Sequence, residues 1–150
     1  MTTALSPNDT NHEGLGLLSS RFAETHELPS EGTRYPGITA KTLLVDRCSG
    51  LLTVLLKMEP GTVLPDHGHV QIGQNFAIEG ALVCGEGTCS AGNFVWRPAG
   101  SQHSACVPNG CFMPAIFQLP NKFFEADGRT TDILDQDWDE NWGAASTNKN

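Results

Sequence analysis

Short apolar runs, each four to eight residues long, alternate with turn residues along the middle of the chain. From Ile38 onward they recur at the roughly 8–12-residue spacing that is typical of an all-β barrel or sandwich. The predicted strands are Thr42–Arg47, Leu51–Met58, Asn75–Glu79, Ala81–Cys84, Asn93–Arg97, His103–Val107 and Phe112–Gln118. Connections such as Glu59-Pro60-Gly61 contain the glycine or proline that permits a tight reversal. No helix of three turns is predicted before residue 120.

The two ends of the chain differ from this middle region. Residues 1–36 are polar except for the stretch Leu15–Leu18, and Ser146–Asn150 are polar as well. A chain of 150 residues has the size of one domain with one core. We therefore expect an N-terminal arm over residues 1–36, a single barrel over 37–138 and a C-terminal tail over 139–150.

The net charge of the chain limits the classes of molecule that it is expected to bind. The sequence contains nine Lys and Arg residues and 17 Asp and Glu residues, which gives a formal net charge of −8. Such an acidic chain is a poor partner for nucleic acid or an anionic membrane, so a small-molecule ligand is favoured. No apolar run approaches the roughly 20 residues of a membrane span, and the first residues lack the features of a signal peptide. We expect a cytoplasmic protein.

The chain has five cysteines, an odd number whose spacing does not indicate a framework of disulfide bonds. We expect Cys48, Cys84, Cys89, Cys106 and Cys111 to be reduced thiols. Cys84 and Cys89, like Cys106 and Cys111, have four intervening residues, a spacing within the loose range for pairs of zinc ligands. Neither pair lies in a helix or zinc-knuckle pattern. A four-cysteine zinc site is the weaker alternative.

Histidines mark the candidate chemistry. His67 and His69 are one residue apart, so on an extended strand both project from the same face and can converge on one ion. His103 follows a strand and a Pro98-Ala99-Gly100 turn, which delivers it to the next strand. His12 and His26 belong to the arm. The alternative is that these are ordinary surface histidines, so the spacing needs its structural context.

The two segments resemble the two cupin motifs, and the resemblance extends from about Lys41 to Phe117. Gly61, His67 and His69 match the first motif, and the second motif is matched in full by Gly92, Pro98, Gly100 and His103. The resemblance implies a single jelly-roll β-barrel with a polar N-terminal arm and a short C-terminal extension. It also implies one divalent metal ion per chain, bound by the three histidines.

This chain departs from the pattern at the usual glutamate ligand. Three intervening residues separate His69 from Gly73 and four separate it from Gln74, which are the two positions where that ligand would fall. The usual closing asparagine is displaced to Asn109. Gln74 is an additional candidate ligand, or a structural hydrogen-bond partner. A neutral set of three imidazoles leaves the ion its full charge and favours an anionic chelating ligand such as an enolate.

Other residues are candidates for the substrate pocket. Trp96, Phe112 and Phe117 have strand spacing and belong either to the core or to the pocket wall. Cys106, three residues after His103, is either near the site or a buried inert thiol. Arg97 is the arginine of the predicted barrel that lies near the motifs. Because it directly precedes Pro98, the sequence does not determine whether its side chain points into the barrel or out of it.

A narrower resemblance lies at the end of the chain. Phe117–Arg129, followed by Asp137-Trp138, is similar to the close of the small cupins around 2,4'-dihydroxyacetophenone dioxygenase and acetylacetone dioxygenase. Those proteins hold Fe(II) with three histidines, which implies O2-dependent cleavage of a carbon-carbon bond in a β-diketone or hydroxyketone. Small molecule and O2 are then the reactants, and no protein side chain beyond the metal centre need be catalytic. Zn, Ni, Cu and Mn remain open as the ion, because imidazole suits several of them.

Two further functions remain open. A zinc-binding sensor would resemble the cupin domain of ChrR-type anti-sigma factors, which share a short barrel. A thiol dioxygenase also uses a metal ion bound by three histidines. It requires in addition an arginine that binds the substrate carboxylate, and Arg97 is the candidate. Small cupins usually pair through barrel edges, so we expect a homodimer or a dimer-based oligomer.

Overall fold

The computed structural model describes residues 4, 6, 14 and 16–147. In this part of the chain there are twelve strands and one helix. The strands are β1 (Glu31–Gly32), β2 (Ile38–Asp46), β3 (Leu51–Met58), β4 (Thr62–Gly68), β5 (Gly73–Phe76), β6 (Glu79–Cys84), β7 (Gly87–Ser90), β8 (Phe94–Arg97), β9 (Gln102–Val107), β10 (Cys111–Phe117), β11 (Lys122–Phe124) and β12 (Thr130–Thr131). The helix is α1 (Trp138–Thr147).

The strands form one curled antiparallel sheet that folds into two layers. One layer has the order β1-β2-β3-β10-β5-β8 and the other β7-β6-β9-β4-β11-β12, and pairing of β10 with β6 joins them. Alternate residues of β3 and β10 are buried between the layers, as the period of two requires. The predicted all-β barrel is confirmed.

Several boundaries differ from the sequence-based prediction, and β1, β4, β7, β11 and β12 are not among the predicted strands. The strand predicted at Asn75–Glu79 is β5, which begins at Gly73 and ends at Phe76. The chain then bends at Ala77 and Ile78, and Glu79 begins β6. Ala77 is fully buried in this bend, and its N–H donates to the carbonyl of Asn93 at 3.0 Å, so the bend keeps its backbone hydrogen bonds.

The chain after residue 120 packs against the barrel. Trp138 and Trp142 of α1 are almost fully buried. The indole N–H of Trp138 donates to the carbonyl of Pro120 at 2.9 Å, and that of Trp142 donates to the carboxylate of Asp132 at 2.9 Å. Asp137 caps the helix, because its carboxylate accepts the N–H of Glu140 at 2.9 Å. This helix is not predicted from the sequence.

Within the arm, residues 4, 6, 14 and 16–36 are described, and His12 lies outside the described residues. Leu28 is buried, whereas Leu17, Leu18 and Phe22 are exposed. All five cysteines are free, and within the described residues they form no cluster that could hold a metal ion. No helix in the described part of the chain is long and apolar enough to cross a membrane.

Candidate metal centre

Three histidines converge between the two layers of the barrel. His67 lies on β4 directly opposite His103 on β9, and His69 follows the end of β4. One ring nitrogen from each lies within 4.8 Å of the others. His67 and His69 are almost fully buried, and His103 is partly buried.

A β-bulge directs His67 inward. Leu64 and His67 are three residues apart, so regular alternation would place them on opposite faces. Both are buried, because the pairing of β4 with β9 shifts between these two residues. The extra residue falls at Pro65-Asp66, where the missing proline N–H breaks no ladder hydrogen bond.

The turn Pro98–Ser101 fixes His69. The N–H of His69 donates to the carbonyl of Ser101 at 2.8 Å, and the N–H of Gly100 donates to the carbonyl of His69 at 2.7 Å. Gly100 has φ +85°, a left-handed conformation that favours glycine. The two motifs read from the sequence therefore meet through backbone hydrogen bonds.

The ring of His67 is held in one orientation. Its Nδ1–H donates to the carbonyl of Pro65 at 2.8 Å, which leaves Nε2 free to bind a metal. The ring also stacks on Phe123 of β11, with centroids 5.0 Å apart. Phe123 is buried and belongs to the tail segment Phe117–Arg129, but its place at the site is not predicted, because β11 meets β4 only in the tertiary structure.

The remaining two rings fit a metal ion. Nε2 of His69 and Nε2 of His103 are 3.0 Å apart, and Nδ1 of each ring is buried without a hydrogen-bond partner. Burial lowers the pKa of His67 to about 4 and that of His69 to about 3, and burial also lowers the pKa of His103. All three imidazoles are therefore neutral at pH 7, which is the form that binds metal.

Gly73 occupies one of the two positions where a cupin glutamate would fall. A Cβ built on Gly73 would lie 2.7 Å from Nδ1 of His69, so no side chain fits there with the ring in place. Gln74 lies opposite Trp96 and Ile116, which are both exposed. Paired residues share a face, so Gln74 is on the outer surface, away from the histidines.

The structure separates the other pocket candidates by face. Trp96 is exposed, and Phe112 pairs with exposed Lys57 on the outer surface. Cys106 pairs with exposed Val63, and its odd spacing from His103 puts it on the opposite face of β9. These three residues are not brought to the histidines.

Phe117 and Arg97 do face inward. Phe117 is buried, with a ring carbon 3.4 Å from the position of a Gly73 Cβ. Arg97 pairs with Gly73 and is only 7% exposed. Its guanidinium donates to the carboxylate of Glu86 at 3.1 Å and to Sγ of Cys84 at 3.3 Å. Neither partner is indicated by the sequence motifs, because both come from the β6–β7 hairpin.

The family model for the ChrR cupin-like domain matches residues 19–118. This chain belongs to that family. The match includes β1 to β10 and all three histidines of the cupin. No curated protein sequence matches the chain.

Solved structures share the fold. A proposed acetylacetone dioxygenase from Methylibium petroleiphilum is 20% identical with a TM-score of 0.69, covering 87% of this chain and 97% of that one. Acetylacetone dioxygenase from Acinetobacter johnsonii is 20% identical with a TM-score of 0.64, covering 93% and 97%. The structure of the anti-sigma factor ChrR with SigE from Rhodobacter sphaeroides gives 19% and 0.54, covering 61% of this chain and 50% of that one. At these identities, the likeness shows the fold alone.

Proposed function

We propose that this cupin is a non-haem Fe(II) dioxygenase that cleaves a carbon-carbon bond of a β-diketone or hydroxyketone. The observation that carries the proposal is the neutral ligand set. Three imidazoles converge, and the glutamate position next to them is a glycine packed against His69. A divalent ion held by neutral ligands gains most from an anionic chelating substrate, and the enolate of a β-diketone is such a ligand.

Each residue of the centre has a part in this function. His67, His69 and His103 would hold the ion, and Fe(II) would supply Lewis-acid and O2 chemistry when bound. The hydrogen bond to Pro65 and the stack on Phe123 orient His67. Buried Phe117 and Phe123 keep water away from this side of the centre, which strengthens electrostatic interactions inside it. No side chain is assigned as a general base.

The test begins with metal analysis by mass spectrometry on protein expressed without added metal. Oxygen uptake is then measured after anaerobic loading with Fe(II), using a panel of β-diketones and hydroxyketones. Substrate-dependent oxygen consumption by the iron-loaded protein is the expected result. Absence of uptake with every compound, at full iron loading, would contradict the dioxygenase proposal.

The family match favours a second candidate, a zinc-binding sensor. Residues 19–118 match the ChrR cupin-like domain, and ChrR is described as an anti-sigma factor. A sensor would contain zinc, would show no turnover with iron and would change conformation or partner binding when its ligand binds. The same metal analysis and oxygen measurement distinguish the two candidates.

We also propose that the protein is a homodimer. Phe76, Phe94, Trp96 and Ile116 lie on the outer face of β5, β8 and β10 and are 39–55% exposed. In the described residues β8 pairs only with β5, so its other edge is open. A contiguous apolar face beside an open strand edge is a typical site of association between subunits.

A further inference from the structure

Arg97 is a buried cation that its neighbours satisfy only in part. Its Nε is buried without a hydrogen-bond partner. Its carboxylate partner, Glu86, lies in the β6–β7 turn with a side chain that is 78% exposed. An ion pair with one partner in solvent is weak, and a buried N–H without an acceptor is rare in folded proteins. Arg97 can therefore exchange Glu86 for a better placed anion.

A cavity of about 190 Å³ lies beside this guanidinium. It is bounded by β8 and the β6–β7 hairpin, and its lining includes Cys84, Glu86, Thr88, Asn93, Val95 and Arg97. Arg97 supplies the positive charge, while Thr88 and Asn93 offer neutral hydrogen-bonding groups. The space is small and the guanidinium of Arg97 is the one cation in its lining, so a compact group that carries a negative charge suits it.

Arg97 also links this cavity to the metal centre. Its strand partner Gly73 is the residue that touches the ring of His69. One residue pair of the β5–β8 ladder therefore separates the wall of this cavity from the ring of His69.

We propose that Arg97 binds a carboxylate carried by the substrate, so that this cupin prefers an anionic β-dicarbonyl compound over a neutral one. The inference rests on the proposed function, since the dicarbonyl part would chelate the metal while the carboxylate occupies the cavity. The guanidinium already binds the carboxylate of Glu86, so the substrate carboxylate takes the place of an existing partner of the same chemistry. Arg97 is then a specificity-determining residue.

The experiment compares two compounds of nearly equal shape. In 2,4-dioxopentanoate a carboxylate replaces one terminal methyl group of 2,4-pentanedione, and the methyl ester of the acid serves as a neutral analogue. Binding to the Fe(II)-loaded protein is measured by calorimetry under anaerobic conditions, so that the result does not depend on turnover. We expect the acid to bind at least tenfold more tightly than either neutral compound.

Variants assign the preference to Arg97. Arg97→Gln should weaken binding of the acid on the order of 10- to 100-fold, as expected when a charge-assisted hydrogen bond is lost, and should leave 2,4-pentanedione nearly unchanged. Lys57→Gln is the matched control, because it removes one positive charge from an exposed outer position. Glu86→Gln removes the competing carboxylate from an exposed turn and should strengthen binding of the acid by roughly 2- to 5-fold. This second variant keeps the test decisive if Arg97→Gln does not fold.

The outcomes separate this inference from the proposed function. Preference for the acid that disappears in Arg97→Gln and grows in Glu86→Gln supports the inference. Equal binding of the acid and 2,4-pentanedione, or a preference that neither variant changes, overturns the inference and leaves the dioxygenase proposal intact. If none of the three compounds binds to the iron-loaded protein, the inference is overturned, and the oxygen-uptake panel, which includes hydroxyketones, decides the proposed function separately.

Discussion

At Gly73, the absence of a Cβ atom determines that this position provides no ligand to the metal. Its backbone runs so close to the ring of His69 that a Cβ would lie 2.7 Å from Nδ1 and 3.0 Å from Cε1. The sequence identifies Gly73 and Gln74 as the two positions where a glutamate ligand could fall, but not which of them faces the metal. Strand register decides this, because one residue of shift exchanges the two faces. Gly73 faces His69, and Gln74 faces outward.

We predict that Gly73→Ala lowers metal affinity. The new methyl group must displace the His69 ring, and disturbing the support of a metal ligand typically costs about 10- to 100-fold in affinity. Metal affinity is measured by competition with a chromophoric chelator. Gly85→Ala is the control, since a Cβ there meets nothing within 4 Å. Equal metal affinity for Gly73→Ala and wild type would show that His69 does not bind the ion.

His103 provides a direct test of the ligand set. We predict that His103→Ala loses most of its bound metal, at least about tenfold, while the barrel stays folded, because the side chain is only partly buried. Metal content is measured by mass spectrometry and folding by circular dichroism. His26→Ala, in the exposed arm, is the matched control. Unchanged metal content in folded His103→Ala would contradict the three-histidine site.

At the level of elements, two irregular features build the site. The bulge at Pro65-Asp66 restores the inward direction of His67, and the Pro98–Ser101 turn holds His69 by its backbone. The histidine spacing predicts one shared face for His67 and His69. The bulge is not predicted, because it depends on how β4 pairs with β9.

Helix α1 is one of the elements that the sequence pattern did not predict. Its apolar residues are few, and its burial depends on two tryptophans that pack on the barrel. We predict that Trp142→Phe lowers the free energy of unfolding by about 1–3 kcal/mol, because the buried Asp132 carboxylate loses the indole N–H. Urea unfolding measures this change.

The control for that variant is Val63→Thr, at a position of β4 that is 60% exposed and lies outside the apolar face proposed for dimerisation. Its free energy of unfolding should stay within about 0.5 kcal/mol of wild type. Equal losses for the two variants would mean that the hydrogen bond between α1 and Asp132 does not stabilise the barrel.

For the whole molecule, the histidines make stability depend on pH when metal is absent. The pKa of His67 is about 4 in the folded state, against 6.5 for an unperturbed histidine, so the unfolded chain binds more protons between these values. Stability of the metal-free protein should therefore fall as the pH falls from about 6.5 toward 4, with His67 alone contributing up to about 3 kcal/mol.

This prediction is checked by urea unfolding in chelator at pH 7.5 and pH 5.0. Asp132 acts in the opposite direction, because burial raises the pKa of its carboxyl group and acid favours its folded form. His67→Asn should have a smaller pH dependence than wild type. Constant stability of the wild type between these two pH values would contradict the desolvation of the histidines.

The proposed dimer is also a property of the whole molecule. We predict that Trp96→Lys shifts the sedimenting species from dimer toward monomer, because a charge at the centre of the apolar face opposes its burial. Val63→Lys places the same charge on an exposed residue of β4, in the other layer, and should have no effect. A wild-type monomer at 100 µM, or an unchanged dimer of Trp96→Lys, would contradict the proposed interface.

The sequence by itself determined the all-β class, most strand positions and the segments that contain the three histidines. These follow from local patterns, since alternation of apolar residues and the turn chemistry of glycine and proline act within a few residues. Tertiary structure decided which candidates share the barrel interior. It directed Arg97 inward, turned Gln74 outward, stacked Phe123 on His67 and packed α1 on the barrel. These features depend on pairing between distant strands, because register and bulges, rather than local preference, set the face on which a side chain lies.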